Sequence, residues 1–206
     1  MSFRCESPLL ADYLAESDII DYSHPSILEL TEKLLQQSED ELAFIRSAFE
    51  YVRDRISHSW DIQSSRITCR ASEVLMHREG ICYAKSNLLC AILRSQGIPA
   101  GYCYQRLTLG DTPDTGYVIH ALNAVYLPAA SRWIRVDARG NKPGIDAQFS
   151  LDEERLAFPI RENYDEIDYP VIYAAPHPAT IRVLQQHKDC RTMYQYGLPA
   201  EILVVT

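Results

Sequence analysis

Long hydrophobic runs are missing from this 206-residue chain. The longest one in its middle, LLCAIL at 88–93, is far short of the roughly 18 residues a membrane span needs, so no membrane partner is expected. The N-terminal stretch MSFRCESPLLADYLAESD meets acidic residues too early to form the apolar region of a secretory signal; the expected location is cytoplasmic. A surplus of positive charge is missing too, with 20 Lys and Arg against 28 Asp and Glu and a formal net charge of −8. Phosphate binding is driven by concentrated cations that displace counterions, which excludes nucleic acid as an expected partner. Tight metal-ligand pairs are also missing, because Cys69, His77, Cys82 and Cys90 are too widely separated to form one. No metal or organic cofactor is expected.

What is present suffices for one substantial core. Hydrophobic residues make up 47% and charged residues 23%, the balance of an ordinary globular chain. The six cysteines, in a chain with no export signal, read as reduced thiols. The expected organisation is a single domain over 1–206. It has an N-terminal helical arm at 1–37, a core at about 40–140 and a C-terminal wrap at 141–206 rich in Pro and Tyr.

Periodicity places the elements. PSILELTEKLLQQ from Pro25 carries Ile27, Leu30, Leu34 and Leu35 at helical spacing. Ser38 followed by Glu41 has the form of a capping box, after which Leu42, Ile45, Phe49, Val52 and Ile56 mark one helical face. ASEVLMHREG reads as a short helix ended by Gly80. A further helix runs from about Tyr83 to Gln96, stopped by Gly97 and Pro99. Three strand-like segments follow, at 100–107, 117–127 and 132–138, joined by the turn-rich GDTPDTG and PAAS. Gaps this short favour antiparallel pairing, since parallel neighbours need a long crossover. Helices followed by a meander predict an α+β fold, in which N-terminal helices pack on an antiparallel sheet. A last helix is expected near 178–188.

The stretch REGICYAKSNLLCAILRSQG puts Cys82 in the first turn of the central helix, near the positive end of the backbone dipoles, where thiolate is favoured over thiol. Gly80 before it offers close backbone approach. A nucleophilic thiol needs a base, and His120 stands in the second strand, within VIHALNAVY. Asp137 closes the third strand, RWIRVDA, and pairing across the PAAS turn brings it near His120 to orient the imidazole.

Taken together, REGICYAKSNLLCAILRSQGIPAGY, VIHALNAVY and WIRVDARGN resemble the core of the transglutaminase-like superfamily, a papain-like cysteine-enzyme fold, in a compact prokaryotic-type member. The resemblance implies Cys82 as nucleophile, His120 as general base and acid, and Asp137 as orienting acid. It implies a cysteine hydrolase or acyltransferase that cleaves an amide of a peptide or small molecule through a thioester. Tyr83 stands where animal transglutaminases carry Trp, which argues against protein crosslinking. The zinc-binding cysteine pairs of peptide N-glycanases and the Glu that follows the cysteine in arylamine N-acetyltransferases are absent.

For the oxyanion, the Cys82 backbone N–H is the natural first donor. Trp60, whose indole only donates, is the second candidate ahead of Gln63, with a core anchor as an equally good reading of the same residue. Cys90 and Cys103 read as packing residues, and His58 either flanks the cleft or is an exposed loop histidine. Arg139 and Asn141 either fix the aspartate loop or touch substrate. The acidic segment 152–168 reads as a solvated face. Two readings from other classes remain open: a noncatalytic peptide-binding module, and a redox-sensing thiol protein.

Overall fold

The computed structural model describes residues 3–110 and 112–203. Asp111 of the GDTPDTG turn lies outside the described residues, as do the first two positions of the arm and the last three of the tail.

Six α-helices are found among the described residues: α1 (Pro25–Gln36), α2 (Glu41–Arg55), α3 (Ala71–His77), α4 (Cys82–Arg94), α5 (Pro178–Gln186) and α6 (Cys190–Tyr196). Pro25 occupies the first turn of α1, where its missing N–H costs nothing. At α2 the expected box does not form. Asp40 caps the helix by accepting the Ala43 N–H at 2.8 Å, while the Ser38 hydroxyl turns back to donate to the Leu34 carbonyl. Asp40, one residue before Glu41, stands at the N-cap position itself and is the better-placed acceptor.

Strands β1 (Arg4–Cys5), β2 (Ser57–His58), β3 (Glu79–Gly80), β4 (Ala100–Thr108), β5 (Tyr117–Leu127), β6 (Arg132–Val136), β7 (Ile167–Asp168) and β8 (Val171–Ile172) form three sheets. The main sheet runs β6-β5-β4-β7, antiparallel throughout; the short turns predict this for β4, β5 and β6, while β7 joins from the C-terminal segment. β1 pairs with β8 and β2 with β3, each in parallel over two residues. This is an α+β fold of helices against an antiparallel sheet.

Helix α4 is the axis of the core. The sequence shows an apolar stripe on one side, yet every residue from Cys82 to Arg94 is buried. α2, α3 and β5 cover its faces, and Lys85, Asn87 and Arg94 donate to backbone carbonyls. Arg94 donates to the carbonyls of Ala15, Ala100 and Ala174, binding the N-terminal arm and the C-terminal tail to one helix end. Asn123 on β5 reaches the Ser86 carbonyl and the Cys90 sulfur. Cys90 and Cys103 are buried packing residues, and all six cysteines are free thiols.

Two boundaries near the site differ from expectation. α3 stops at Arg78, which takes a left-handed conformation (φ 54°) and donates its N–H to the Val74 carbonyl. Gly80 is instead extended in β3. A Cβ there would meet Ala84 Cβ and Thr68 Oγ1, each at 3.0 Å, so the glycine makes room for α4 rather than for substrate. The C-terminal segment holds two helices where one is expected; the seven residues of α6 are too few to show a clear period.

Candidate active site

A cavity of about 650 Å³ opens at the N-terminal end of α4. Cys82 and His120 both line it. Cys82 is the first residue of α4, and no side chain caps that helix, so its first N–H groups remain for another acceptor. One residue on, the Tyr83 hydroxyl donates at 2.7 Å to the carbonyl of Ile119, the residue before His120. That bond ties the start of α4 to β5 beside both side chains.

Asp137 follows β6 directly. Its Oδ2 lies 2.8 Å from His120 Nε2, with the aspartate fully buried and the histidine 5% exposed. The backbone N–H groups of Arg139 and Ala157 donate to the same carboxylate at 3.1 Å each. Burial pushes the Asp137 carboxyl up, but the His120 charge and these hydrogen bonds outweigh it and hold the carboxyl below its ordinary range. Burial alone would drive His120 down; the Asp137 charge, then the Cys82 charge, with the hydrogen bond to Asp137, raise it to about 10. Asp137 takes Nε2 and leaves Nδ1 free of that contact.

The other residues singled out in the sequence separate. Trp60 lines the cavity and stacks on Tyr194, ring centroids 4.4 Å apart. Gln63 is exposed in a left-handed turn (φ 53°), spends its amide on the Trp60 carbonyl at 2.6 Å, and does not line the cavity. Arg139 grips Asp61 through two hydrogen bonds of 2.6 and 2.9 Å, Lys142 adds a third, and both cations line the cavity. Burial raises the Asp61 carboxyl, but these two partners bring it to about 2. Asn141 serves the loop, exchanging hydrogen bonds with the backbone of Ala147. The acidic segment is only partly a solvated face: Glu154 and Asp168 clamp Arg135, and buried Glu166 lines the cavity against Arg161.

Several cavity residues carry no readable signal in the sequence. Phe158 packs edge-on against His120 at 5.0 Å, and Tyr194 of α6 stands over Trp60 and edge-on to His58. Both come from the C-terminal segment, joined to the site only by tertiary packing. His58 is buried at the cavity wall, not exposed. Among the described residues no group of three His, Cys, Asp or Glu side chains could hold a metal ion, and no helix is long and apolar enough to cross a membrane.

Comparison with protein families matches residues 28–138 to the model of the transglutaminase-like superfamily, more than half of the chain. Comparison with curated proteins finds no match. Among solved structures, a protein from Cytophaga hutchinsonii described provisionally as a cysteine protease is 19% identical, with a TM-score of 0.52 over 65% of this chain and 43% of that one. The periplasmic domain of TgpA from Pseudomonas aeruginosa is 17% identical, with a TM-score of 0.46 over 61% of this chain and 45% of the other. Red sea bream transglutaminase is 13% identical, with a TM-score of 0.39 over 65% and 26%. The chain thus spans less than half the length of each of these structures.

Proposed function

The chain belongs to the transglutaminase-like superfamily, and from that premise we propose that it is a cysteine-dependent hydrolase or acyltransferase that opens an amide bond through a thioester on Cys82. The observation that carries this reading is the buried 2.8 Å contact of His120 Nε2 with Asp137, in a cavity that Cys82 also lines.

In the proposed reaction the Cys82 sulfur attacks the amide carbonyl. Its electron pair forms the C–S bond, and the C=O pair moves onto oxygen. The Cys82 N–H, unclaimed by any cap, receives that oxygen. Trp60, on the turn that follows β2, is the proposed second donor in preference to Gln63. As the pair returns, the C–N bond breaks and the amine leaves with a proton from His120 Nδ1. His120 then takes a proton from water or from an acceptor amine as that nucleophile attacks the thioester; the C–S bond breaks and the sulfur leaves as thiolate beside the recharged imidazolium. Asp137 stays ionised throughout, holding the imidazole in position and stabilising its charge. Hydrolysis is proposed over transfer, because water needs no dedicated acceptor site.

The experiment is acylation by p-nitrophenyl acetate followed by peptide mass spectrometry. An acetyl adduct on Cys82, absent in Cys82→Ala and greatly slowed in His120→Ala, supports the reading. No adduct in the parent protein, or one that persists at the same rate in His120→Ala, refutes it.

A further inference from the structure

His58 lies on β2, where it pairs with Gly80, two residues before Cys82. This short parallel ladder brings the ring to the cavity that holds Cys82, Trp60, His120 and Tyr194. The side chain is buried, and its Nδ1 has no hydrogen-bond partner. A neutral imidazole carries one N–H and one bare nitrogen. Orphaned N–H groups are rare in protein interiors because nothing replaces their lost hydration. The proton therefore belongs on Nε2, the nitrogen left to face the cavity.

The surroundings keep the ring in that neutral form. Burial acts first, the Arg139 guanidinium next, and Lys85 and His120 add to the effect; Asp61 opposes it, and the group is held well below its ordinary value. The edge of the ring against Tyr194, centroids 6.1 Å apart, limits its rotation. The result is an N–H donor at the wall of the cavity that Cys82 also lines.

We propose that His58 is a further catalytic residue, donating its Nε2–H to the acyl oxygen as Cys82 attacks. This role rests on the cysteine-acylation reading above and deepens it. In the attack the sulfur pair forms the C–S bond while the carbonyl pair moves to oxygen. His58 joins the Cys82 N–H and Trp60 in holding that charge, and no proton passes to the oxygen. When the pair returns, the leaving group departs and the donors are released unchanged.

Two reactions of the same sulfur separate this role from a structural one. Acylation by p-nitrophenyl acetate passes through an oxyanion; alkylation by iodoacetamide is a displacement at carbon that forms none. In His58→Phe, acylation is expected to fall by roughly 10²–10³-fold, the loss typical of one oxyanion donor, while alkylation of Cys82 keeps its parent rate. His58→Gln, which restores an N–H, is expected to recover at least about a tenth of the parent acylation rate. His58→Ala is read in the same way if the phenylalanine variant does not fold. Unchanged acylation in the variants overturns the proposal, as does a parallel loss of both reactions, which would mark a residue that only positions Cys82. If the parent shows no acylation sensitive to Cys82→Ala, the underlying reading fails and the role falls with it; alkylation still reports separately whether the sulfur is reachable.

Discussion

The hydroxyl of Tyr83 donates to the carbonyl of Ile119 at 2.7 Å, inside the core, and so joins the residue after Cys82 to the residue before His120. Nucleophile and base candidates come from different elements, and this bond fixes their spacing. Tyr83→Phe removes the bond with little change in shape and leaves a buried carbonyl short of a partner. The expected cost is about 1–2 kcal/mol of stability. Acylation of Cys82 is expected to slow while KM for the ester holds. Urea denaturation and ester kinetics check both.

Asp137 is the largest favourable influence on His120. Asp137→Asn keeps the shape and removes the charge, so the His120 pKa is expected to fall from about 10 toward or below its ordinary 6.5. By analogy with other oriented histidines, acylation should drop by about 10²–10⁴-fold. Histidine titration by NMR, alongside the rate, tests this; an unmoved titration contradicts it.

His120 and Lys85 make opposite contributions to stability in nearly the same pH window. His120 is raised from 6.5 to about 10, so its contribution is complete below pH 6.5 and is lost as pH rises through 10. Lys85 is buried on α4, where burial first and then Arg139 lower it from 10.5 to about 7; it donates to the carbonyls of Arg53 and Ile56 at the end of α2. Between about pH 7 and 10.5 the unfolded chain holds a proton on Lys85 that the folded chain lacks, so stability rises with pH. The two slopes should cancel, leaving the thermal midpoint nearly flat between pH 7 and 9, above which the thiols that burial raises from 9.0 add a fall. Lys85→Met should uncover a fall across that range and His120→Gln a rise.

Acid acts through Glu166. Burial raises its carboxyl, but Arg161, the Thr108 and Arg161 backbone N–H groups and the Thr108 hydroxyl bring it down from 4.5 to about 2. Its contribution is present above pH 4.5 and is lost as pH falls toward 2. Glu166→Gln should therefore be less stable than the parent at neutral pH, with the difference narrowing through that range.

Gly80→Ala places a methyl at 3.0 Å from both Ala84 Cβ and Thr68 Oγ1. Overpacking of this kind costs about 1–3 kcal/mol. The strain falls on the first turn of α4, so slower Cys82 acylation is expected together with a lower melting temperature. An unchanged rate would show that the start of α4 tolerates displacement.

The parts of the fold with a sustained period were legible in the sequence. α1, α2, α4 and the three long strands lie within a few residues of their expected places, and the meander fixed the antiparallel order. The parts that close the site were not. Tyr194 meets Trp60, and Phe158 meets His120, through packing between distant segments, which leaves no local pattern. β2 and β3 are two residues each, too short for alternation to register, and this hid the burial of His58 on a strand. Gly80 was legible as a special position for the wrong reason: its neighbours, not its own dihedrals, require it to be small.

The most direct test of the account is the alkylation rate of Cys82 by iodoacetamide at about pH 6, followed by peptide mass spectrometry in the parent protein and in His120→Ala. The account predicts rapid labelling in the parent and labelling at least about tenfold slower in the variant, because the buried imidazolium that supports the sulfur is gone. Equal, slow labelling in both would contradict it, leaving Cys82 as an ordinary core thiol.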